Sequence, residues 1–332
     1  MAKKPLCVAV LMGGPSLEHE VSLKSGEMVF SHLDRTKYEP VRVIIQKDGS
    51  WTIPPEEVKR FSDCAFIALH GTYGEDGTVQ GILDLHKIPY TGSNASSSAL
   101  GMNKFLSLRV FQDGGLRTPP SMLFHEREWR VSSDEVIKKI EQYLGFPIVV
   151  KPNNQGSSFG VTIVKDKKKI KSALDEAFDF SRDVLVQKFI EGREMTCGVL
   201  DHGWSGSAFP LFPTEIIPRG GTFFDYKAKY QKEGSYEITP PQNISERTME
   251  ALRAVARTAH TLVGASGFSR TDMILDKKGD IYVLEINTIP GLTEESLLPK
   301  AASISGIEFS KLLSLILESA LHRHGKGAKG CL

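Results

Sequence analysis

Two acidic residues near the C-terminal end of the chain have a spacing that could hold a cation. Residues 270–276 and 281–287 are rich in strand-forming side chains, and they flank a polar, turn-like segment at 277–280. This pattern predicts a β-hairpin with a four-residue loop. In the register that such a loop imposes, Asp272 lies directly opposite Glu285.

Strand alternation extends this pair to a set of three oxygen-bearing side chains. Asp272, Glu285 and Asn287 are predicted to project from one face of the hairpin, with Arg270 opposite Asn287. The remaining positions are apolar. We expect Ile274 and Val283 beside the acids, and Met273, Leu275, Tyr282, Leu284 and Ile286 on the opposite face.

Opposed carboxylates on a mostly buried sheet need compensation. They repel each other, and leaving them uncompensated costs on the order of several kcal/mol. A divalent cation removes that cost, and three oxygen ligands near a basic group suit Mg²⁺ shared with phosphates. Lysines, or solvent at the hairpin end, could instead satisfy both carboxylates. The spacing by itself leaves both interpretations open.

The N-terminal third of the chain must position a second group of polar residues. Strand signals at 6–12, 41–46 and 65–70 alternate with helix signals at 21–33 and 79–86. This order predicts an open parallel α/β sheet, in which ligands bind beyond the carboxyl ends of the strands. The segments at those ends are GGPSLEHEVS and HGTYGEDGTVQG. The first lacks the GxGxxG pattern of a dinucleotide site.

These two segments contain Glu18 and His70, and each residue has a plain structural interpretation as well as a functional one. Glu18 could simply be an acid favoured by the dipole of the first helical turn. His70 could be a strand-end histidine with a backbone partner. Residue type alone favours the structural interpretation for both.

A second α/β unit follows two predicted helices within 94–112 and a boundary at Pro119-Pro120. It has strand signals at 121–124 and 147–151 around a helix at 132–144. The polar loop 153–160, NNQGSSFG, then lies between two strands and could cover phosphates with its backbone N–H groups. It lacks the lysine–serine ending of a P-loop. Lys151, at a buried strand end directly before the loop, needs an anion.

The remaining segments suggest a lid and a closing region. Residues 219–235, RGGTFFDYKAKYQKEGS, combine glycines at both ends with lysines and aromatic side chains, which suits a lid over ATP as well as a surface hairpin. A helix with Ser245 as its N-cap and Gly264 at its end is predicted before the hairpin. An amphipathic helix at 309–321 is predicted after it, and we expect 326–332 to be a disordered tail.

Composition narrows the function classes. The formal charge of +1 over 332 residues gives no support for a nucleic-acid partner. No apolar run approaches the length of a membrane span. The four cysteines form no CxxC pair, and Cys7, Cys64 and Cys197 fall in apolar runs. We expect these three to be buried free thiols in a reducing, cytoplasmic compartment.

Several motifs together resemble a known family. Arg270-Thr-Asp272, Glu285-Ile-Asn287 and the following PGLT look like the metal-binding end of the ATP-grasp superfamily. The strings GGPSLEHEVSLKSG, the AKY of the predicted lid and NTIPGLTEESLLP are similar to those of the D-alanine–D-alanine ligases. The resemblance covers almost the whole chain. It implies an α/β ATP-grasp fold with an N-terminal open parallel α/β sheet domain, divided as 1–103, 104–193 and 194–325 before the tail.

The resemblance also implies a role for each site residue. The metal ligands would be Asp272, Glu285 and Asn287, holding Mg²⁺ (or Mn²⁺), with two ions expected. ATP would contact Lys104, Lys151 and Lys229 through its phosphates, Gln187, Lys188 and Ile190 through adenine, and Glu194 through its ribose. Glu18 would hold the ammonium of the first D-alanine, close to His70, with Ser157 and Tyr230 hydrogen-bonded around it. Arg270 and Gly291 would stabilise an oxyanion, and Ser296 and Leu297 would receive the carboxylate of the second D-alanine.

One departure from the family falls in the adenine site. The family usually has glutamate where this chain has Gln187. The amide keeps an acceptor and adds a donor, so adenine could still be recognised.

The implied activity is ATP-dependent synthesis of D-alanyl-D-alanine through an acyl phosphate, for peptidoglycan precursors, by a homodimer. Three rivals stay open: another ATP-grasp carboxylate–amine ligase, a ligase that makes D-alanyl-D-lactate, and a non-catalytic ATP-binding regulator. The regulator would tend to lack Arg270 or a metal ligand, and this chain keeps all of them.

Overall fold

The structure is a computed structural model that describes residues 4–157, 159–201, 208–218 and 235–325. These residues form three β-sheets with helices packed against them. Within the described ranges, no helix is long and apolar enough to cross a membrane. Residues 219–234 of the predicted lid, with Lys229 and Tyr230, and the C-terminal tail lie outside these ranges.

The first sheet is the predicted open parallel sheet. Its three strands run in the order β2-β1-β3, with β1 paired in parallel to both neighbours. They are β1 (Leu6–Gly13), β2 (Tyr38–Ile45) and β3 (Cys64–Ile67), and the associated helices are α1 (His19–His32), α2 (Pro55–Phe61) and α3 (Thr78–Leu85). β1 reads as a continuous apolar run because helices and strands cover both of its faces.

Two helices lead from this sheet to the next. They are α4 (Ala95–Met102) and α5 (Lys104–Asp113). Asn103 separates them in an extended conformation and caps α5, since its side chain accepts a hydrogen bond from the N–H of Leu106. The prediction of two helices within 94–112 is confirmed.

The second sheet is antiparallel and has the strand order β4-β7-β5-β6. Its strands are β4 (Ser121–His125), β5 (Ile148–Pro152), β6 (Thr162–Val164) and β7 (Asp183–Lys188), covered by α6 (Glu126–Tyr143) and α7 (Ile170–Phe180). The predicted helix at 132–144 is only the second part of α6, which bends at the non-helical Ser132. The earlier turn forms because His125 caps it by accepting from the N–H of Arg127.

The third sheet carries the hairpin. Its strand order is β11-β10-β8-β12-β13, with β9 paired to β8. The strands are β8 (Gly192–Asp201), β9 (Ala208–Pro210), β10 (Thr214–Pro218), β11 (Ser235–Ile238), β12 (Phe268–Asp276) and β13 (Ile281–Asn287), and the helices are α8 (Glu246–Leu262), α9 (Leu297–Ile304) and α10 (Phe309–Arg323). Ser245 caps α8 as predicted, accepting from the N–H of Thr248 at 3.1 Å.

The hairpin has the predicted opposition of acids but not the predicted loop. Asp276 and Asp280 are joined by a backbone hydrogen bond, so the loop has three residues and ends at Gly279 with φ +86°. A β-bulge at Asp272/Met273 then shifts the register by one residue and restores the pairing of Asp272 with Glu285.

Because of the bulge, two side chains of β13 lie on the opposite faces from those predicted. Val283 is fully buried in the core with Met273 and Ile286, whereas Leu284 lines a cavity with Glu285. The expectation that Val283 lies beside the acids was therefore wrong, as was the placement of Leu284 on the opposite face. A bulged residue breaks strict alternation, which explains both errors.

The C-terminal helices join the hairpin to the first sheet. One hydrophobic core contains β1 and β3 residues together with residues of α9 and α10. At the end of α10, Arg323 donates to the carbonyl oxygens of Tyr90, at 2.8 Å, and Gly92. The segment between β13 and α9 is therefore held against the carboxyl ends of the first sheet.

The cysteines are unpaired in the described chain, as expected. Cys64 and Cys197 are buried, whereas Cys7 is only partly buried. Cys331 lies outside the described residues.

Gly26 permits the close contact of α1 with β1. A Cβ at this position would lie 2.4 Å from Met12 Cβ, which is too short for any side chain. We predict that Gly26→Ala lowers the free energy of unfolding by about 1–3 kcal/mol through overpacking. Gly81→Ala is the matched control, because Gly81 is also helical but has no atom within 4 Å of its missing Cβ. That change should be neutral or stabilise by about 0.5–1 kcal/mol. Equal denaturation midpoints for both variants would contradict this account.

Candidate active site

One large cavity lies where the three sheets meet. Its volume is about 1670 Å³. Every predicted site residue in the described part of the chain lines it: Glu18, His70, Lys104, Lys151, Ser157, Gln187, Lys188, Ile190, Glu194, Arg270, Asp272, Glu285, Asn287, Gly291, Ser296 and Leu297. Residues that are far apart in sequence and were predicted for one site are therefore brought together.

The Asp272 carboxylate accepts hydrogen bonds from Arg270, Thr196 and Asn287. Arg270 binds it through two atoms, with Nε 2.9 Å from Oδ1 and Nη2 2.8 Å from Oδ2. Thr196, its partner on β8, donates to Oδ1 at 2.6 Å, and Asn287 Nδ2 donates to Oδ2 at 3.2 Å. Burial acts to lower the pKa of Arg270, but the charge and hydrogen bonds of Asp272, together with the charges of Glu285 and Glu75, outweigh burial and keep that pKa above its ordinary value.

Glu285 forms an ion pair with a lysine side chain. Lys104 Nζ lies 3.2 Å from Glu285 Oε2 and donates to the carbonyl oxygen of Gln155 at 2.7 Å, which ties the polar loop 153–160 to the start of α5. Lys151 is buried close by. Burial lowers its pKa to about 8, while the charge of Glu285 opposes the shift. An anion placed between Lys104 and Lys151 would offset the repulsion of two ammonium groups in one cavity.

The donor chemistry of the hairpin fits a hard divalent cation. In the described chain no cluster of three or more His, Cys, Asp or Glu side chains could hold a metal. The set instead comprises two carboxylates and the amide oxygen of Asn287, whose nitrogen is directed to Asp272. Such a partial oxygen set suits Mg²⁺, which usually keeps several waters and shares phosphate oxygens. Arg270 and Lys104 already compensate the two acids from within the protein, so the residues fit both interpretations raised by the spacing.

At the other end of the cavity, Glu18 lies between two glycines. A Cβ on Gly71 or on Gly156 would fall 2.8 Å from Glu18 Oε2, so both must be glycine for the carboxylate to lie there. Ser157 donates its hydroxyl to Glu18 Oε1. Ser157 has φ +53°, a left-handed conformation that a serine rarely adopts. The polar loop and the first sheet thus meet at this carboxylate.

His70 is buried and has protein partners at both ring nitrogens. Nδ1 lies 3.2 Å from the carbonyl oxygen of Ile289, and Nε2 lies 2.7 Å from Ser25 Oγ. A carbonyl oxygen only accepts, so Nδ1 carries the proton and Nε2 of the neutral ring accepts from the serine. Burial lowers the pKa of His70, against the opposing charge of Glu18. The structural interpretation of His70 as a strand-end residue with a backbone partner is confirmed, although its ring also forms part of the cavity wall.

A tight turn before α9 completes this end. A Cβ on Gly291 would lie 2.6 Å from Ser296 Oγ, so the close approach requires glycine. Ser296 Oγ lies 2.8 Å from Thr293 Oγ1 and accepts from the Thr293 N–H at 3.0 Å. The turn is anchored by Ile289 and Leu292, which are buried in the core.

Glu75 is a cavity residue that the sequence analysis missed. Its Oε1 accepts from the N–H of Gly71 at 2.8 Å. Burial and, to a lesser extent, the charge of Glu18 raise its pKa to about 8, whereas the Gly71 N–H, Arg270 and Lys104 act to lower it. The available signal was an acid between glycines in HGTYGEDG, a few residues after His70.

Comparison with known proteins identifies the family. The family model described as the D-ala D-ala ligase C-terminus matches residues 110–318, and the one described as the D-ala D-ala ligase N-terminus matches residues 7–62 and 55–93. A D-alanine–D-alanine ligase of Geobacter sulfurreducens is 43% identical over 323 residues, covering 97% of this chain and 96% of the relative. The chain belongs to the D-alanine–D-alanine ligase family.

Solved structures of ligases share the fold. The D-Ala:D-Ser ligase VanG of Enterococcus faecalis superposes with a TM-score of 0.84 at 31% identity, covering 96% of this chain and all of that one. The Bacillus anthracis D-alanine–D-alanine ligase, solved in complex with ATP, gives a TM-score of 0.79 at 34% identity, with coverage of 97% and 99%. The ATP-grasp fold and the N-terminal α/β sheet domain implied by the resemblance are confirmed.

The raised pKa of Glu75 makes stability depend on pH. The folded apoprotein keeps a proton on Glu75 that the unfolded chain releases above its ordinary pKa of 4.5. The contribution of Glu75 to the free energy of unfolding should therefore fall as the pH rises from about 5 to about 8. Glu75→Gln keeps an acceptor for the Gly71 N–H but does not ionise. We predict that it gains about 1–3 kcal/mol relative to wild type between pH 5 and pH 8.

The measurement is chemical denaturation of the ligand-free protein at several pH values. Glu176→Gln, at an exposed site on α7, is the control and should run parallel to wild type. Parallel curves for Glu75→Gln and wild type would contradict a proton held on Glu75.

Proposed function

We infer that this chain is an ATP-dependent D-alanine–D-alanine ligase, which joins two D-alanines and releases ADP and phosphate. One observation supports this function most strongly: in a member of this family, one large cavity has the two-carboxylate hairpin and two lysines at one end and the Glu18–Ser157 pair at the other. The separation of cationic and anionic ends suits a substrate with phosphates on one side and an ammonium group on the other.

We propose that ATP lies along the second sheet. Lys104 and Lys151 bind its phosphates, and the lowered pKa of Lys151 rises again when an anion arrives. Gln187, Lys188 and Ile190 form the adenine site, and Glu194 lies at the ribose. The relative solved with ATP supports nucleotide binding by this fold. Lys229, outside the described residues, would add a further phosphate contact.

Asp272, Glu285 and Asn287 would hold Mg²⁺ (or Mn²⁺), as two ions when ATP is bound. The metal supplies charge neutralisation on the phosphate oxygens during phosphoryl transfer. The protein fixes the positions of the side chains that would bind the metal. Asn287 and Thr196 orient Asp272 from two sides, so that a carboxylate on a strand keeps one geometry.

The carboxylate of the first D-alanine is the phosphoryl acceptor, because a free carboxylate is a poor electrophile and phosphorylation supplies a leaving group. Glu18 holds the ammonium of this substrate, near His70. Ser157 donates a hydrogen bond to Glu18, and Tyr230, outside the described residues, would hydrogen-bond with both. The amine of the second D-alanine attacks the acyl phosphate, and phosphate leaves. Arg270 and the Gly291 N–H stabilise the oxyanion of the tetrahedral intermediate; one such donor contributes about 3–4 kcal/mol in other enzymes.

The second D-alanine is oriented by its carboxylate. Ser296 and Leu297 lie at the N-terminal end of α9, where a helix presents unpaired N–H groups to an anion. The hydroxyl of Ser296 is already fixed by Thr293, which sets the direction of its contact. Attack requires the amine to face away from this carboxylate, toward Arg270.

The proposal also covers the division into domains, the compartment and the oligomeric state. Each proposed domain, 1–103, 104–193 and 194–325, contains most of one sheet, which supports the division. We propose a cytoplasmic homodimer that makes a peptidoglycan precursor. The unpaired cysteines support the reducing compartment, and the dimer rests on the family alone.

A different acceptor is the main alternative, and one observation favours testing it. VanG, with 31% identity and a TM-score of 0.84, is a D-Ala:D-Ser ligase. D-serine is an amine acceptor like D-alanine, whereas D-lactate is not. Direct competition between acceptors separates these possibilities.

The activity test is release of ADP and dipeptide from MgATP with D-alanine, L-alanine, or D-alanine mixed with D-serine or D-lactate. We predict turnover with D-alanine alone and none with L-alanine. Arg270→Lys keeps the charge next to Asp272 but loses the fork of donors, so kcat should fall about 10²–10³-fold. Arg253→Lys, on α8 beside Glu250, is the control and should retain turnover. No D-alanine-dependent turnover, despite measurable ATP binding, would contradict the proposal.

The same assay tests the metal ligands. Asp272→Asn removes one negative charge and keeps the shape, so it should raise the Mg²⁺ concentration needed for half-maximal rate by about 10–100-fold. An unchanged Mg²⁺ dependence would remove Asp272 from the metal site.

A further inference from the structure

Ser121 and Gln187 form a cross-strand pair at the adenine end of the cavity. They face each other in the antiparallel pairing of β4 with β7. Gln187 is 2% exposed, and it lines the cavity between Pro119, Val149 and Lys188. Its amide nitrogen donates to Ser121 Oγ at 2.9 Å.

The hydroxyl proton of Ser121 fixes the direction of this amide. Ser121 Oγ donates to the carbonyl oxygen of Pro119 at 2.6 Å, and a carbonyl can only accept. A hydroxyl has one proton, so toward Gln187 the same oxygen must accept. The NH₂ group of Gln187 therefore faces Ser121, and its carbonyl oxygen takes the opposite direction. A flipped amide would place two acceptors against each other.

The same wall offers a backbone donor. The N–H groups of Lys188 and Phe189 are used by Pro120 and Pro147. In the described chain, Ile190 N–H donates to no other group, and Ile190 lines the cavity. Adenine presents a 6-amino donor beside the N1 acceptor, whereas hypoxanthine and guanine present a 6-oxo acceptor beside an N1–H donor. The Gln187 carbonyl oxygen as acceptor and the Ile190 N–H as donor match the edge of adenine. Against hypoxanthine or guanine, the same two groups would place acceptor against acceptor and donor against donor.

We propose that Ser121 is a positioning residue for nucleotide specificity: it holds the Gln187 carbonyl oxygen toward the base, so that the site selects 6-amino over 6-oxo purine triphosphates. The proposal rests on the ATP site of the proposed function. A carboxylate at position 187 could only accept and would need no orienting partner. An amide can present either end, so this chain requires the serine to set its direction.

The test compares ATP with ITP, which differ only in this edge of the base. Binding of each Mg-nucleotide to the full chain is measured by calorimetry without D-alanine, and kcat/KM is measured with it. Wild type should prefer ATP. Ser121→Ala should lower the ATP-to-ITP preference about tenfold or more by freeing the amide to flip, with kcat at saturating ATP changed less than about twofold. Ser121→Thr keeps the hydroxyl and should retain the preference.

Repeating the Ser121→Ala change in a Gln187→Glu chain tests whether Ser121 acts through the direction of the amide. A carboxylate accepts whichever way it points, so adding Ser121→Ala to Gln187→Glu should change the preference by less than about twofold. An equal loss in both backgrounds would mean that Ser121 acts only through the fold, and would overturn the proposal. An unchanged preference in Ser121→Ala would overturn it as well.

Two controls keep the outcomes distinct. If Ser121→Ala does not fold, the near-isosteric Ser121→Cys, with a weaker acceptor, should give a partial loss of preference. Failure of the ligase function would appear as absent turnover while the binding preference and its dependence on Ser121 persist.

Discussion

The structure depends on two carboxylates that face each other across one pair of hydrogen-bonded strands. Asp272 and Glu285 cannot both be ionised and half-buried without cations around them. Arg270 and Lys104 meet that need in the chain itself, and Lys151 lies near enough for its pKa to feel the charge of Glu285. Three basic groups from three separate elements thus converge on the hairpin and outnumber its two carboxylates, which leaves a net positive charge to attract an anion.

The rest of the fold places an opposite charge at a fixed distance from this cluster. The C-terminal helices share a core with the first sheet, so the turn after β13 lies against the carboxyl ends of β1 and β3. Glu18 and Glu75 project there, and Gly71 and Gly156 leave room for Glu18. We propose that a zwitterionic amino acid binds between the two ends, with its ammonium at Glu18 and its carboxylate toward Arg270. In this proposal one distribution of charge both binds that carboxylate and activates it.

The residues that the sequence motifs predicted for one site do line one cavity, and they could be chosen from the sequence because they belong to short motifs. The opposition of Asp272 and Glu285 was predicted correctly from a loop that was one residue too long, since the unforeseen bulge cancels that error. Because of the same bulge, Val283 and Leu284 each lie on the face of the hairpin opposite to the predicted one. No local sequence pattern indicates this bulge. Glu75 was missed because its raised pKa comes from burial and from Glu18, a neighbour only in space. The Ser121–Gln187 pair likewise depends on strand pairing between distant segments.

The most direct test of the reaction follows the oxygen atoms of D-alanine. With D-alanine labelled by ¹⁸O at both carboxyl oxygens and unlabelled MgATP, the phosphate released is analysed by ³¹P NMR. Attack of the first carboxylate on the γ-phosphorus transfers one of its oxygens, and expulsion by the second amine leaves that oxygen on phosphate. We expect one ¹⁸O in each phosphate and one in the new amide carbonyl. Unlabelled phosphate formed together with dipeptide would contradict an acyl phosphate and the role given to this cavity.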